Sequence, residues 1–112
     1  MNIKVETLNE IKIASIDGRI DSTNSGEFEK PIIKTIDDGC LKMIVDCSGL
    51  SYISSSGLRV FLAAQKKMKA LSGTLLLCGL QPAIKEVFDI AGFSLIFKVF
   101  PERDSALNSL SQ

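Results

Sequence analysis

Apolar and polar residues alternate near the start of the chain, and such alternation is typical of a half-buried strand. It is present over residues 3–5 and again over residues 11–16, with a turn expected at residues 8–10. We therefore predict two short strands joined by that turn. The second strand is expected to end at residues 18–21, after which the polar residues 22–25 offer caps for a helix.

A helical spacing follows, because the next apolar residues recur every three or four positions. The residues of this apolar face are Phe28, Ile32, Ile33 and Ile36. The helix is predicted to end before Asp38. Pro31 lies inside the pattern and has no N–H to donate, so it predicts either a kink or a later start of the regular helix.

From residue 41 onward, strand and helix patterns alternate regularly. The predicted elements are a buried strand over residues 41–45, a helix over 55–71, a strand over 74–78, a helix from Pro82 to residues 91–92, a strand over 95–100 and a helix over 102–110. The apolar residues assigned to the two longer helices are Leu58, Phe61, Leu62, Met68 and Leu71, and then Ile84, Val87, Phe88 and Ile90. This order predicts a single α/β domain over residues 1–112, with a mixed, mostly parallel sheet of four or five strands and helices packed on it.

Composition and charge narrow the class of function. The chain has 112 residues with 13 basic and 13 acidic side chains, so its formal net charge is zero and nothing steers it toward nucleic acid or an anionic membrane. No apolar run is long enough to span a membrane, and the first ten residues lack the apolar core of a secretory signal. Three cysteines without a CxxC pair are typical of reduced thiols. We predict a cytoplasmic protein that neither binds nucleic acid nor inserts into a membrane.

The chain contains no histidine, and this excludes several chemistries at once. A Ser-His-Asp triad, a Cys-His pair and a zinc site built on imidazole all need that side chain. No GxxxxGK[ST] loop or EF-hand pattern is present either. We therefore expect no catalytic residues, no metal and no cofactor.

The most informative segment is residues 44–62, IVDCSGLSYISSSGLRVFL, where a buried strand leads through a polar turn into a helix. Three serines and a glycine open that helix. Unpaired backbone N–H groups and the helix dipole favour negative charge at such a position. The serines therefore fit two roles, as caps of the helix or as acceptors of a phosphate.

The whole chain resembles the STAS domain, and among its members the small bacterial anti-sigma factor antagonists. The strongest match is the segment Asp46-Cys47-Ser48-Gly49-Leu50-Ser51-Tyr52-Ile53-Ser54-Ser55-Ser56-Gly57-Leu58. The family pattern has Asp, an apolar residue and Ser, and later an aromatic and an apolar residue before Asp-Ser-Ser/Thr-Gly-Leu. Upstream, Gly18-Arg19-Ile20-Asp21 is similar to the family's Gly-x-Leu-Asp.

This resemblance implies a protein-interaction switch. Antagonists of this kind, when unphosphorylated, bind an anti-sigma factor that is also a serine kinase, and so free a sigma factor for transcription. The kinase phosphorylates the serine after the motif's Asp, and a phosphatase reverses the modification. Ser55 stands at that position, and Asp21 matches an acidic residue of the same surface. The candidate partner-binding residues are Asp21, Ser54, Ser55, Ser56, Gly57 and Arg59.

The chain departs from the family at Ser54, where the motif has Asp. The missing carboxylate changes the charge beside Ser55, and the added hydroxyl makes Ser54 an alternative acceptor, as is Ser56. Helix capping by these serines, and turn capping by Asp21, remain open as structural roles. We expect Gly57 to permit a close backbone approach, and Asp46 and Ser48 to shape a strand–helix loop.

Two other functions stay open on the sequence. A STAS domain can serve as a subunit of a lipid-transport or signalling assembly that phosphorylation does not regulate. An enzyme or nucleotide-binding protein has only the phosphate-compatible helix start in its favour.

Overall fold

A five-stranded sheet forms the centre of the computed structural model, which describes residues 1–111. The strands are β1 (Asn2–Leu8), β2 (Ile11–Ile20), β3 (Lys42–Ile53), β4 (Thr74–Cys78) and β5 (Val99–Phe100), and they lie side by side in that order. β1 is antiparallel to β2, and every other neighbouring pair is parallel. The predicted α/β class and the mixed, mostly parallel sheet are confirmed.

Four helices cover the two faces of this sheet unequally. They are α1 (Ser25–Asp37), α2 (Ser55–Ala70), α3 (Pro82–Ile90) and α4 (Arg103–Leu110), with a short 3-10 helix at Phe93–Leu95. Buried side chains of α1, α2 and α3 share one apolar cluster with the sheet, whereas α4 packs on the other face through Ala106. We call these the main face and the α4 face.

Aromatic rings fill the centre of the main-face core. Phe61 of α2 is buried, and its ring centroid lies 5.2 Å from that of Phe28 and 5.4 Å from that of Phe88. Phe97 is a further neighbour at 6.3 Å. Because Phe61 contacts rings from α1, α3 and the segment before β5, it joins the three helices of this layer into one core.

The α1 helix runs from Ser25 to Asp37 without interruption at Pro31. The later start that the sequence allowed is therefore wrong. Asn24 precedes the helix, but its side chain does not cap it. The Asn24 amide instead donates to the Arg19 carbonyl, and its oxygen accepts from the Asp21 N–H, each at 2.9 Å. Asn24 thus fixes the turn between β2 and α1.

Three sequence predictions about apolar residues are corrected. α2 ends at Ala70, so Leu71 is the cap residue and is exposed, not part of the core face. Ile90 ends α3 with 83% of its surface exposed, because it is two positions after the buried Phe88 and therefore lies on the opposite side of the helix. The predicted strand over 95–100 is mostly a 3-10 helix and loop, and only Val99–Phe100 pairs with β4.

The strand predicted to stop at Asp46 continues to Ile53 as β3, so the polar turn predicted after Asp46 is wrong. The polar residues of β3 are compatible with a strand because other groups of the fold form hydrogen bonds with their side chains. The Ser51 hydroxyl, for example, donates to the Gly18 carbonyl at 3.1 Å across the β2–β3 pair. Two register irregularities, each of which places one extra residue in β3, keep the two strands paired over this length.

Candidate functional site

The carboxyl ends of β2 and β3 bring the two motifs of the sequence together. These strands are parallel neighbours, and the Ser54 N–H donates to the Ile20 carbonyl at 2.9 Å. Asp21 follows Ile20 and the serine run begins at Ser54, so both motifs meet at one edge of the sheet. The resemblance had assigned them to one surface, and the structure brings them there.

Ser54 is the N-cap of α2. Its backbone is extended, with φ −90° and ψ 173°, and its hydroxyl accepts from the Gly57 N–H at 3.3 Å. The hydroxyls of Ser54 and Ser56 are also hydrogen-bonded to each other at 2.8 Å. The capping role is therefore confirmed for Ser54. A serine caps a helix about as well as the Asp of the family motif, but without the charge.

Ser55 differs from both neighbouring serines. It is the first residue of α2, its side chain is exposed, and its hydroxyl has no hydrogen-bond partner within the described residues 1–111. Ser56 is half-buried and engaged with Ser54. Of the three candidate acceptors, Ser55 has the hydroxyl that an approaching molecule reaches without breaking an existing bond.

Gly57 allows the start of α2 to rest directly on the strand ends. A Cβ at this position would lie 2.8 Å from Ile20 Cγ2 and 2.8 Å from Ile53 Cγ1, closer than carbon atoms pack. The predicted close approach at Gly57 is confirmed. Leu58 packs partly against the same core, whereas Arg59 points to solvent.

Asp21 has a structural role in the turn after β2. Its Oδ1 accepts hydrogen bonds from the Thr23 hydroxyl and from the Thr23 N–H, the latter at 2.9 Å. These bonds stabilise the charged form and hold the pKa of Asp21 below its ordinary value, with a smaller contribution from the positive charge of Arg19. Asp21 is thus an ionised turn cap, and its part in partner recognition remains a prediction.

Asp46 lies in β3 and not in the loop that the sequence predicted. Its side chain belongs to the α4 face, where Arg103 Nη2 donates to Asp46 Oδ2 at 3.0 Å and to Ser15 Oγ at 2.8 Å. The Glu6 carboxylate lies 3.6 Å from the same guanidinium. Arg103 is the first residue of α4, so this network holds the start of that helix on the sheet.

Replacing Asp46 with Asn is expected to lower the free energy of unfolding by about 2 kcal/mol at pH 7, because Asn carries no charge and has only one acceptor oxygen for the two donors, Ser48 and Arg103. Burial alone would raise the pKa of Asp46, but hydrogen bonds from Ser48 and Arg103 outweigh it and lower the pKa below 3.8. The stabilisation is therefore complete above that value and is lost as the pH falls through the lower folded-state pKa. Urea unfolding at pH 7, 5 and 3 measures the difference.

The control for this experiment is Glu29→Gln, which removes an exposed carboxylate that has no ion pair within residues 1–111. It is expected to change stability by less than about 0.5 kcal/mol. A difference between wild type and Asp46→Asn that is as large at pH 3 as at pH 7 would contradict the role of the ionised Asp46.

A stacked pair that the sequence reading missed lies beside the site. The Arg19 guanidinium carbon is 4.2 Å from the centroid of the Tyr52 ring, and these residues are direct partners in the β2–β3 register. Both side chains are exposed. The sequence signal is an Arg and a Tyr 33 positions apart, and only the strand register shows that they meet.

The three cysteines are buried and free. Burial, together with the negative charge of Asp46, raises the pKa of Cys78 to about 12, and burial also raises the pKa of Cys40. These thiols are therefore neutral near pH 7, when they are poor nucleophiles and poor metal ligands. Residues 1–111 contain no cluster of three or more His, Cys, Asp or Glu side chains arranged to hold a metal ion. No helix among them is long and apolar enough to cross a membrane.

Comparison with known proteins decides the family. The model of the STAS domain matches residues 2–106 of this chain. The chain belongs to the STAS domain family. A Bordetella bronchiseptica protein assigned as an anti-sigma factor antagonist, BtrV, is 36% identical over 106 residues, which cover 95% of this chain and 91% of that protein.

Solved structures agree with this fold. An anti-sigma factor antagonist structure from Thermotoga maritima superposes with a TM-score of 0.94 at 16% identity, covering 98% of this chain and 95% of that one. The Bacillus cell fate determinant SpoIIAA in its phosphorylated form gives a TM-score of 0.77 at 20% identity, with 97% and 99% coverage. The curated relatives are named as anti-sigma factor antagonists, which are regulatory binding proteins and not enzymes.

Proposed function

We propose that this chain is an anti-sigma factor antagonist that binds an anti-sigma factor serine kinase when unphosphorylated and releases it when Ser55 is phosphorylated. The observation that carries this proposal is the contrast among three adjacent serines. Ser54 and Ser56 are bonded within the fold, whereas the Ser55 hydroxyl is exposed and free within residues 1–111. A kinase must bring the acceptor oxygen into line with a nucleotide phosphate, which a free hydroxyl allows at no cost to the fold.

The fold tolerates a phosphorylated serine at position 55. Phosphorylation adds about −1.5 to −2 charges at neutral pH. On the first residue of α2 this charge meets unpaired N–H groups and the positive end of the helix dipole. The neutral Ser54 cap also avoids the repulsion that an Asp at the same position would exert on the phosphate. We therefore expect the modified chain to keep its fold and change only its surface.

Release of the partner follows from charge and size. A partner surface that fits a neutral Ser55 beside the ionised Asp21 has to meet a bulky dianion after phosphorylation. Like charges and the desolvation of the phosphate then oppose contact. The exposed Arg59 lies on the first turn of the same helix and completes the proposed contact surface. Gly57, which the resemblance also gave as a contact residue, is buried against Ile20 and Ile53 and instead positions the start of α2.

The relatives support this proposal by their names, and one structural neighbour was solved in a phosphorylated form. The switch requires two more proteins, a sigma factor that the anti-sigma factor otherwise holds and a phosphatase that restores Ser55. It also requires a cytoplasmic chain, because transcription and ATP-dependent kinases are located there.

Incubation of the purified chain with its cognate anti-sigma factor and ATP is expected to add one phosphate, at Ser55. Ser55→Ala should lose the modification, while Ser56→Ala, the neighbouring control, should retain it. Peptide mapping by mass spectrometry measures the site. A phosphate mapped to Ser54 or Ser56 in the wild type would overturn the assignment, because both hydroxyls would first have to leave their bonds within the fold.

A further inference from the structure

The strands that carry the site extend beyond their neighbours in the sheet. Pairing of β1 with β2 reaches only to Asp17, and pairing of β4 with β3 reaches only to Asp46. Pairing between β2 and β3 continues to Ile20 and Ile53. Residues 18–20 and 50–53 therefore form a two-stranded arm, and the phosphoacceptor segment begins directly at its end.

The two faces of this arm differ. Ile20, Leu50 and Ile53 are buried in the main-face core. On the other side Arg19 stacks over Tyr52, and neither residue belongs to the apolar cluster beneath α4. Tyr52 keeps 40% of its surface exposed. The stacked Tyr52 ring and Arg19 guanidinium thus lie on a face of the arm that no helix of residues 1–111 covers.

Arg19 is held in place by its stack on Tyr52, and its guanidinium N–H groups are free, within the described part of the chain, to bind a partner. Its guanidinium makes no ion pair and donates no hydrogen bond within residues 1–111. Stacking restricts the side chain in advance, so less conformational entropy is lost when a second molecule binds it. A planar guanidinium with free N–H groups matches a carboxylate in bidentate geometry, and Arg and Tyr are enriched among the residues that dominate binding energy.

We propose that Arg19 and Tyr52 form part of the surface that binds the anti-sigma factor, where they take a carboxylate side chain flanked by an apolar one. This inference rests on the function proposed above and extends its contact surface to the uncovered face of the arm. Continuity supports it, because Arg19 precedes Ile20 and Asp21, while Tyr52 lies two residues before Ser54. Charge supports it as well, since the Arg19 guanidinium forms no ion pair within residues 1–111 and can therefore take a carboxylate of the partner.

The test is titration calorimetry of unphosphorylated variants against the cognate anti-sigma factor, identified from the genes beside that of this chain. Arg19→Ala and Tyr52→Ala are each expected to weaken binding at least tenfold. Arg19→Lys keeps the charge without the planar stack and should show an intermediate loss. Lys69→Ala is the control, because Lys69 is an exposed cation at the other end of α2 and has no ion pair within residues 1–111.

The salt dependence of binding separates the electrostatic role proposed for Arg19 from the packing role proposed for Tyr52. Raising ionic strength weakens the wild-type complex partly by screening Arg19, so the Arg19→Ala complex should depend less on salt, whereas the Tyr52→Ala complex should keep the wild-type dependence. Wild-type affinity in both alanine variants, with binding still lost in Ser55→Asp, would overturn this inference and leave the proposed function standing. Failure of the wild type to bind any anti-sigma factor would overturn both.

Discussion

Replacing Ser55 with Asp is expected to weaken binding to the anti-sigma factor about 100-fold, while Ser55→Ala keeps nearly the wild-type affinity. Ala is smaller than Ser and leaves the neutral contact surface intact. Asp adds a negative charge at the strand ends that already carry Asp21, so a partner surface formed around one carboxylate has to accept two. Juxtaposed like charges cost several kcal/mol, and each 1.4 kcal/mol is a factor of ten in affinity. Calorimetry or surface plasmon resonance with purified proteins measures the change.

Loss of the fold would not explain such a result. A carboxylate on the first residue of a helix interacts favourably with the dipole, so Ser55→Asp should be at least as stable as the wild type to urea. Ser72→Asp is the control for binding, because it adds the same charge on an exposed residue just beyond the opposite end of α2 and should leave the affinity unchanged. Its own stability is expected to fall slightly, since the negative end of the dipole disfavours an anion. Equal affinity of wild type, Ser55→Ala and Ser55→Asp would contradict a switch at Ser55. It would favour a binding partner whose affinity does not depend on this residue.

Phe61→Ala is expected to have the largest effect on stability, about 3–5 kcal/mol. The substitution removes the ring that contacts Phe28, Phe88 and Phe97 and leaves a cavity where three helices meet. Domains of this size have only about 5–15 kcal/mol of total stability, so the variant should unfold at a much lower urea concentration. Equilibrium unfolding followed by circular dichroism measures the shift.

Two further variants make that experiment decisive. Phe61→Leu fills part of the cavity and should lose clearly less stability than Phe61→Ala, which gives a readable value if the alanine variant does not fold. Leu95→Ala truncates a side chain that is 94% exposed and should change stability by less than about 0.5 kcal/mol. Similar losses in Leu95→Ala and Phe61→Ala would contradict the placement of the core around Phe61.

Periodicity and composition predicted most of this fold. The continuous apolar run of Thr74–Cys78 is typical of a strand buried on both faces, and β4 lies between two parallel neighbours. The helical spacing of Phe28, Ile32 and Ile36 gave α1, whose buried residues are those three. In both cases the apolar pattern lies within one short stretch of the chain, continuous in β4 and at helical spacing in α1, so local sequence is sufficient.

The features that sequence did not predict depend on residues far apart in the chain. Asp46 and Ser51 look like turn residues, but the structure satisfies them with Arg103 and the Gly18 carbonyl. Arg103 is 57 positions from Asp46, so no local pattern could indicate the pair. The Arg19–Tyr52 stack likewise depends on the register between β2 and β3. The underestimated length of β3 and the missed Arg19–Tyr52 stack thus have one cause, because the sequence alone does not show which residues of neighbouring strands pair.

The serine at position 54 has a clearer meaning with the structure. Its hydroxyl performs the capping that an Asp would perform, so the start of α2 is preserved without the charge. Because Ser54 is neutral, phosphorylation of Ser55 introduces the first negative charge at the start of α2. Beside an Asp at position 54, it would only add to a charge already present. We infer that the substitution leaves the switch intact.

Whether phosphate on Ser55 releases the anti-sigma factor can be measured as the affinity of one protein preparation in three successive states. The states are unphosphorylated, phosphorylated by the kinase with Ser55 modification verified by mass spectrometry, and dephosphorylated again. We predict tight binding, a loss of about 100-fold or more, and full recovery, with unchanged circular dichroism throughout. Unchanged affinity in the sample with verified phosphate on Ser55 would rule out a phosphorylation switch at this residue.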